Sequence, residues 1–173
     1  SLHDALPICF NFDLNSKDLK LPKNVIPKFA YAGRFLTGIR DPNPLLTFLT
    51  KVDLPFEFYI YTDRLDQLKS YENVLKDKLI LSELISREEL LTVLAKMDFL
   101  ISFDNNTQRN IPSKLIDYAI LGKPVLNINR NFTGEEIIEF LNGNYMKRMV
   151  LPNREKYHIK QVSKQFLDLL TAI

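Results

Sequence analysis

A chain of 173 residues, 46% hydrophobic and 25% charged, is long enough to bury a core of its own and reads as one ordinary globular domain. A net charge of +2 with no run of Lys or Arg argues against nucleic acid or an acidic membrane surface as a partner. The single cysteine, Cys9, excludes an internal disulfide and fits a reducing compartment; no apolar segment approaches the roughly 20 residues that span a bilayer; and five glycines leave no G-x-G-x-x-G or G-x-x-x-x-G-K loop.

Residues 1–8, SLHDALPI, resemble a translated sequencing-library adapter, with neither a start methionine nor a targeting pattern, and are set apart from the fold. The natural chain is then expected to extend upstream. Residues 9–28, with Pro22 and Pro27, read as a linker from that upstream part, and 29–173 as the domain proper. Residues 29–31 form a short apolar strand ending in Gly33-Arg34. Asp41-Pro42-Asn43-Pro44 starts a helix whose buried face is Leu45, Leu46, Phe48 and Leu49. An aromatic-rich strand follows at 56–61, a surface helix at 64–75 and a strand at 78–81. Ser86-Arg87-Glu88-Glu89 spells a capping box that opens a helix to about Lys96. The next strand is 99–103, followed by a polar loop at 104–110, a helix opened by Pro112 and closed by Gly122, and a strand at 125–128. Thr133-Gly134-Glu135-Glu136 reads as a second capping box, for a helix to about Leu141. Residues 149–151 read as a short strand or extended piece. The last helix, 155–170, carries Ile159, Val162, Phe166, Leu169 and Leu170 at helical spacing.

Five short, continuously apolar strands alternating with helices imply an α/β domain: a Rossmann-like parallel sheet with helices on both faces. In such a sheet ligands bind beyond the carboxyl ends of the strands, where Gly33-Arg34 and residues 104–114 fall.

Residues 111–128, IPSKLIDYAILGKPVLNI, are the most informative stretch. The helix start leaves the backbone N–H groups of Ser113 and Lys114 without intrahelical partners, at the positive end of the helix dipole. That arrangement suits a phosphate or diphosphate, and Lys114 adds a full positive charge. Asp117 shares the face of Ser113 and Lys114, about one turn of 5.4 Å along the axis. Its carboxylate could accept hydrogen bonds from ribose hydroxyls. Ordinary helix punctuation, with Lys114 in a solvated pair with Asp117 or Tyr118, fits the same residues and stays open at this point.

Arg34, after a strand and a glycine, and Arg40, just before a helix start, could neutralise a diphosphate; two solvent-facing arginines beside a turn glycine is the plain alternative. The 104–110 loop offers amides and carboxylate for sugar hydroxyls, or is a solvated surface loop. The backbone of residues 82–86 could face a base, although capping already explains Ser86. No catalytic constellation stands out. His3 lies in the adapter-like stretch, and His158, alone at the start of the last helix, reads as a surface or capping residue. No His, Cys and carboxylate cluster supports a metal, and no G-x-S-x-G elbow is present.

These pieces resemble, in order, the C-terminal domain of GT-B glycosyltransferases. FAYAGRF (29–35), then Arg40 before a helix with Leu45-Leu46, then FEFYIYTD (56–63) resemble its start. LILSELISREELLTVLAKMDFLISF (79–103) is similar to its middle, IPSKLIDYAILGKPVLNI to its signature P-S-K-x-x-E-Y-x-x-x-G-K-P-V, and HIKQVSKQFLDLL (158–170) to its closing helix. The resemblance implies the nucleotide-sugar donor domain of a family-4-like retaining glycosyltransferase. Gly33 would then lie at the donor phosphates and Arg34 at the diphosphate. Ser113 and Lys114, behind Pro112, would hold the phosphates, Asp117 the ribose, and Ile85 would lie near the base. It implies no cofactor and no metal, a nucleotide-diphosphate sugar as donor, and a glycan or lipid-linked acceptor bound by a missing N-terminal domain. The implied setting is bacterial surface-polysaccharide synthesis, in the cytoplasm or at the inner face of the membrane. On this reading the chain alone binds donor weakly and transfers no sugar. Three positions depart from the pattern: Ile39 replaces a usual lysine, with Arg40 beside it, Arg109 replaces the first of two glutamates, and Asp117 is one methylene shorter than the second. A nucleotide-sugar epimerase of the same fold and a non-catalytic α/β interaction domain are the competing readings.

Overall fold

The computed structural model describes residues 24–36, 38–104 and 113–171. Five strands, β1 (Lys28–Ala32), β2 (Glu57–Tyr61), β3 (Leu79–Ser82), β4 (Phe99–Phe103) and β5 (Val125–Ile128), form one parallel sheet in the order β3-β2-β1-β4-β5. The helices are α1 (Asn43–Leu49), α2 (Lys69–Leu75), α3 (Arg87–Leu94), α4 (Ser113–Leu121), α5 (Glu135–Leu141) and α6 (Ile159–Thr171). This is the expected Rossmann-like α/β arrangement.

Strand alternation sorts the core into two layers. Phe29, Tyr31, Phe58, Ile60, Phe99, Ile101 and Leu126 pack with Leu45, Leu46 and Leu49 of α1, Leu75 of α2, and Ile137 and Phe140 of α5. Ala30, Leu100 and Val125 point the other way, against Leu94 of α3 and Leu115 and Tyr118 of α4. Burial on both sides explains why the central strands are so largely apolar: all five residues of β4 are buried, Ser102 the one polar residue among them. The two layers follow from right-handed crossovers. The chain winds outward from β1 to β3, then crosses back to β4 and winds the other way, which puts the crossover helices α3 and α4 on the opposite face, while α5, after the last strand, lies with α1 and α2.

An aromatic column sets the register of the three central strands. Phe29 stacks on Phe58 of β2 at 4.5 Å and on Phe99 of β4 at 4.7 Å, each pair directly opposite in the ladder. Phe140 of α5 meets Phe99 edge-on at 5.1 Å. At the amino ends, the Asp98 carboxylate accepts from the backbone N–H of Asn24 (3.2 Å) and Lys28 (2.8 Å) and from the Asn24 side-chain amide (3.0 Å). One side chain thus ties the segment entering β1 to the start of β4.

Four local readings are corrected. The 64–75 segment is a 3-10 turn, Leu65–Leu68, followed by α2, with no side-chain cap at either start. Residues 149–151 form no strand; Met149 N–H donates to the Val125 carbonyl at 2.8 Å and the segment runs on as irregular chain. The last helical stretch breaks at His158, between a 3-10 turn at Arg154–Tyr157 and α6. The Ser86 capping box is present, with Glu89, but the one expected at Thr133 is displaced. There Gly134 is the N-cap, at φ +95°, and the Thr133 hydroxyl accepts from Glu135 N–H and donates to the Glu136 carboxylate. The cause is steric: a Cβ on Gly134 would come within 2.1 Å of the Phe48 ring, so α1 packs where any other N-cap residue would project.

Gly134→Ala should therefore cost about 2 kcal/mol, lowering the melting temperature by roughly 4–8 °C. Gly38→Ala, also at positive φ but with open space at the Cβ position, should lose only about 1 kcal/mol. Calorimetry that finds the two losses equal would remove the packing explanation.

Candidate functional site

The carboxyl ends of all five strands meet one edge of the sheet, and the winding reverses between β1 and β4. The helices that follow these neighbours, α1 and α4, pack on opposite faces, and the crevice between them is the general ligand position of a doubly wound sheet. β1 feeds Gly33-Arg34 into it, β4 feeds Asp104, and α4 starts beside it at the exposed Ser113.

Lys114, in the first turn of α4, is the unusual residue of the crevice. Its Nζ lies 4.5 Å from the centre of the Tyr31 ring, is shut off from solvent, and has no hydrogen-bond partner among the described residues. A buried ammonium without hydrogen bonds is costly, and contact with an aromatic face recovers only part of that cost. Burial, helped by the nearby positive charge of Arg40, lowers the Lys114 amine to about 7. Tyr118, one turn along α4, is buried, and its hydroxyl oxygen accepts weakly from Ala32 N–H at 3.5 Å. Burial pushes Tyr31 up to about 12 and Tyr118 higher still, so both phenols stay neutral and neither can balance Lys114. The Tyr31 hydroxyl donates to the Arg34 carbonyl at 3.2 Å. Gly33 sits at φ +144°, where a Cβ would press within 3.1 Å of that hydroxyl, and its N–H donates to the Tyr61 carbonyl at 2.9 Å. Arg40 folds back over the same loop: its N–H donates to the Leu36 carbonyl at 2.8 Å and its guanidinium to the Arg34 carbonyl at 3.5 Å.

The remaining candidates lie around this centre. Arg34 Nε donates to Asp63, past the end of β2, at 2.7 Å, and this guanidinium holds the Asp63 carboxyl below the usual carboxylate range. Asp117 is paired with Arg87, the first residue of α3, through Nε at 3.0 Å and Nη2 at 2.5 Å. Ile85 is 38% exposed in the loop between β3 and α3. Pro112 and the 105–110 loop, including Arg109, lie outside the described residues. The solvated pairs left open for Lys114 are not formed: Asp117 goes to Arg87, and Tyr118 is buried against the end of β1. His158 is buried, its Nδ1 accepting from Lys160 N–H at 3.1 Å, so it caps α6 and is not a surface residue.

Two cavities flank the crevice at the same edge. One of about 210 Å³ lies beyond β4 and β5, lined by Ile39, Asp41, Phe103, Asp104, Asn129 and Arg130 among others. The other, about 400 Å³, lies beyond β2 and β3 between Thr62, Asp63, Asp66, Glu83 and Leu84. Among the described residues no group of three or more His, Cys, Asp or Glu side chains is placed to hold a metal ion. No described helix is long and apolar enough to cross a membrane.

Tyr31, Asp63 and Arg87 border the candidate site without any notice from the sequence, and Tyr118 enters there only as a solvated partner for Lys114. Tyr118 carries a usable signal, four residues from Lys114 on the same helical face. Asp63 and Arg87 carry none, because each meets its partner only across two elements.

No protein-family model and no curated protein sequence matches the chain. Solved structures do match in fold. The apo form of the lipopolysaccharide outer core galactosyltransferase WaaB aligns with a TM-score of 0.59 at 14% identity, over 99% of this chain and 57% of WaaB. TarM aligns with a TM-score of 0.57 at 15% identity, over 88% of this chain and 37% of TarM. A point mutant of S. aureus TarM in complex with fondaparinux, α-GlcNAc-glycerol and UDP aligns at 0.53 and 14%, with the same coverage of 88% and 37%. The chain thus spans between about a third and three fifths of the length of these proteins, and it has the Rossmann-like α/β fold found in glycosyltransferases of the GT-B type.

Proposed function

We propose that this chain is the donor-binding domain of a glycosyltransferase. The enzyme would move a sugar from a nucleotide-diphosphate sugar to a glycan or lipid-linked acceptor, in bacterial surface-polysaccharide synthesis at the cytoplasmic side of the membrane. The observation that carries the reading is the buried Lys114 ammonium with no hydrogen-bond partner among the described residues, at the start of α4 and on the switch-point crevice. A diphosphate is the complement of that arrangement: it supplies acceptors for Nζ and balances Lys114 and Arg40 together. With those cations at the phosphates, the charge a divalent metal would neutralise is already met by protein groups. Asp117 faces the ribose, the β2/β3 cavity beside Leu84 and Ile85 takes the base, and the cavity beyond β4 and β5 takes the sugar. UDP in the TarM mutant complex and the galactosyltransferase WaaB among the structures of the same fold support this reading. Transfer requires the acceptor-binding part of the enzyme, because the chain matches only part of either neighbour.

The test is a thermal-shift titration of the chain with UDP, GDP and ADP. One of them, at about 100 times its Kd, should stabilise by about 2.7 kcal/mol, a rise of roughly 5–10 °C. Lys114→Met should abolish the rise while leaving the nucleotide-free melting temperature equal or higher, since a buried unpartnered amine is replaced by an apolar chain of similar length. A rise that survives Lys114→Met would refute the phosphate role of Lys114.

The lysine also sets a pH signature. Its amine is lowered to about 7 in the folded chain and is ordinary in the unfolded chain, so between about pH 7 and 9 the unfolded state binds more protons. Nucleotide-free stability should therefore rise with pH across that window. Diphosphate binding needs the ammonium, so affinity should fall by up to tenfold per pH unit above about 7. Tyr31 and Tyr118 are pushed up in the folded chain but ionise near pH 10 when unfolded, an opposing contribution that closes the window on its alkaline side. Flat affinity between pH 7 and 9, read by isothermal titration, would overturn the linkage.

A further inference from the structure

Asp117 is reached by a cation from a different helix, and the geometry of that contact is one-sided. Nε and Nη2 of Arg87 converge on the same carboxylate oxygen, Oδ1, at 3.0 and 2.5 Å. Oδ2 accepts no hydrogen bond from the described residues. The Asp117 side chain is 16% exposed and that of Arg87 40%, so the acid is held inward with the arginine on its outer side. An ion pair this open contributes little to stability. Its effect is geometric: it removes the rotational freedom of the carboxylate and leaves one oxygen for an outside donor.

Arg87 is itself firmly placed. It is the first residue of α3, directly after Ser86, whose hydroxyl accepts from Glu89 N–H at 3.3 Å while the Glu89 carboxylate accepts from Ser86 N–H at 3.2 Å. This reciprocal cap fixes the helix start, and Ile85 immediately precedes it. The loop that carries Ile85 and the acid on α4 are therefore joined through one guanidinium.

We propose that Arg87 is a positioning residue for ribose recognition: by engaging Oδ1 it presents Oδ2 of Asp117 to the ribose hydroxyls of a bound nucleoside diphosphate and ties that subsite to the base-side loop. The proposal rests on the nucleotide-binding reading above. It makes Arg87 responsible for discrimination between ribose and a sugar lacking those hydroxyls, and not for holding the phosphates.

Isothermal titration of the 173-residue chain with UDP, GDP and ADP, each beside its 2′,3′-dideoxy counterpart, tests it. The nucleotide that binds should be preferred over its dideoxy form by about tenfold, the scale of a hydrogen bond to a charged group. Arg87→Ala should reduce that preference below about threefold, leave the dideoxy affinity unchanged and move the melting temperature by no more than about 3 °C. Arg87→Lys should restore part of the preference, a response that loss of packing would not give. If Arg87→Ala fails to fold, Arg87→Gln carries the same comparison. An unchanged preference, an equal loss for both forms, or tighter binding in the variant would each overturn the positioning role while leaving nucleotide binding intact. If no diphosphate binds the unaltered chain, the nucleotide reading itself fails and this role fails with it.

Discussion

The site depends on the three central strands ending at the same level. Parallel strands have no hairpin to set their register, so side chains must do it. Here the Phe58–Phe29–Phe99 column does so, with two near-parallel stacks at 4.5 and 4.7 Å across β2, β1 and β4. Each aromatic pair contributes about 0.5–1.5 kcal/mol beyond its burial, and a slip of one residue would separate both pairs and turn the large side chains to the wrong face. The Asp98 carboxylate fixes the amino ends of β1 and β4 in the same way, through polar contacts. With register set at the amino side, the carboxyl ends of β1 and β4 fall side by side, which brings Tyr31 under Lys114.

At that edge the electrostatics are local and opposed to the whole-chain average. A net charge of +2 says nothing about the crevice, where Lys114 and Arg40 are close enough to depress the lysine and the adjacent phenols remain neutral. The nearby carboxylates are already committed: Asp63 to Arg34 and Asp117 to Arg87. These pairs hold side chains in place without quenching Lys114. Arg34, the more exposed of the two paired arginines, can reorient at little cost because its pair with Asp63 is weak, whereas Lys114, held by the helix and the aromatic floor, has far less freedom. A rigid buried cation beside an adaptable surface cation suits a ligand with two phosphates and flexible appendages.

Much of this is legible in the sequence because the physics is local or periodic. The strands are mostly apolar, most fully the central β4, where both faces of the sheet are buried, and the Ser86 capping box is a four-residue pattern that forms as written. The start of α4 is legible for the same reason: Ser113, Lys114 and Asp117 follow helical spacing. What fails is what distant residues decide. The N-cap moves from Thr133 to Gly134, whose missing Cβ leaves the space that Phe48, far away in the chain, occupies. Residues 149–151 are apolar but donate only one ladder-like bond, from Met149, so composition alone misleads. Arg87 and Asp117 are thirty positions apart, and nothing in either neighbourhood announces the other.

Identities of 14–15% to structures that align over 88% or more of the chain are what this division of constraint predicts. The sheet asks only for apolar residues of suitable volume at alternating positions, a requirement many sequences satisfy. The crevice asks for specific atoms: no Cβ at residue 33, where the Tyr31 hydroxyl already crowds the space, a cation at 114 within reach of the β1 end, and an acid one turn further along the same helix. Each of those demands is met by a residue that costs the free protein something: a left-handed glycine, a desolvated ammonium, a tethered acid. The desolvated ammonium is the one of these that an anion would relieve, and it lies on the same edge of the sheet as the other two, which is what the proposed donor site requires.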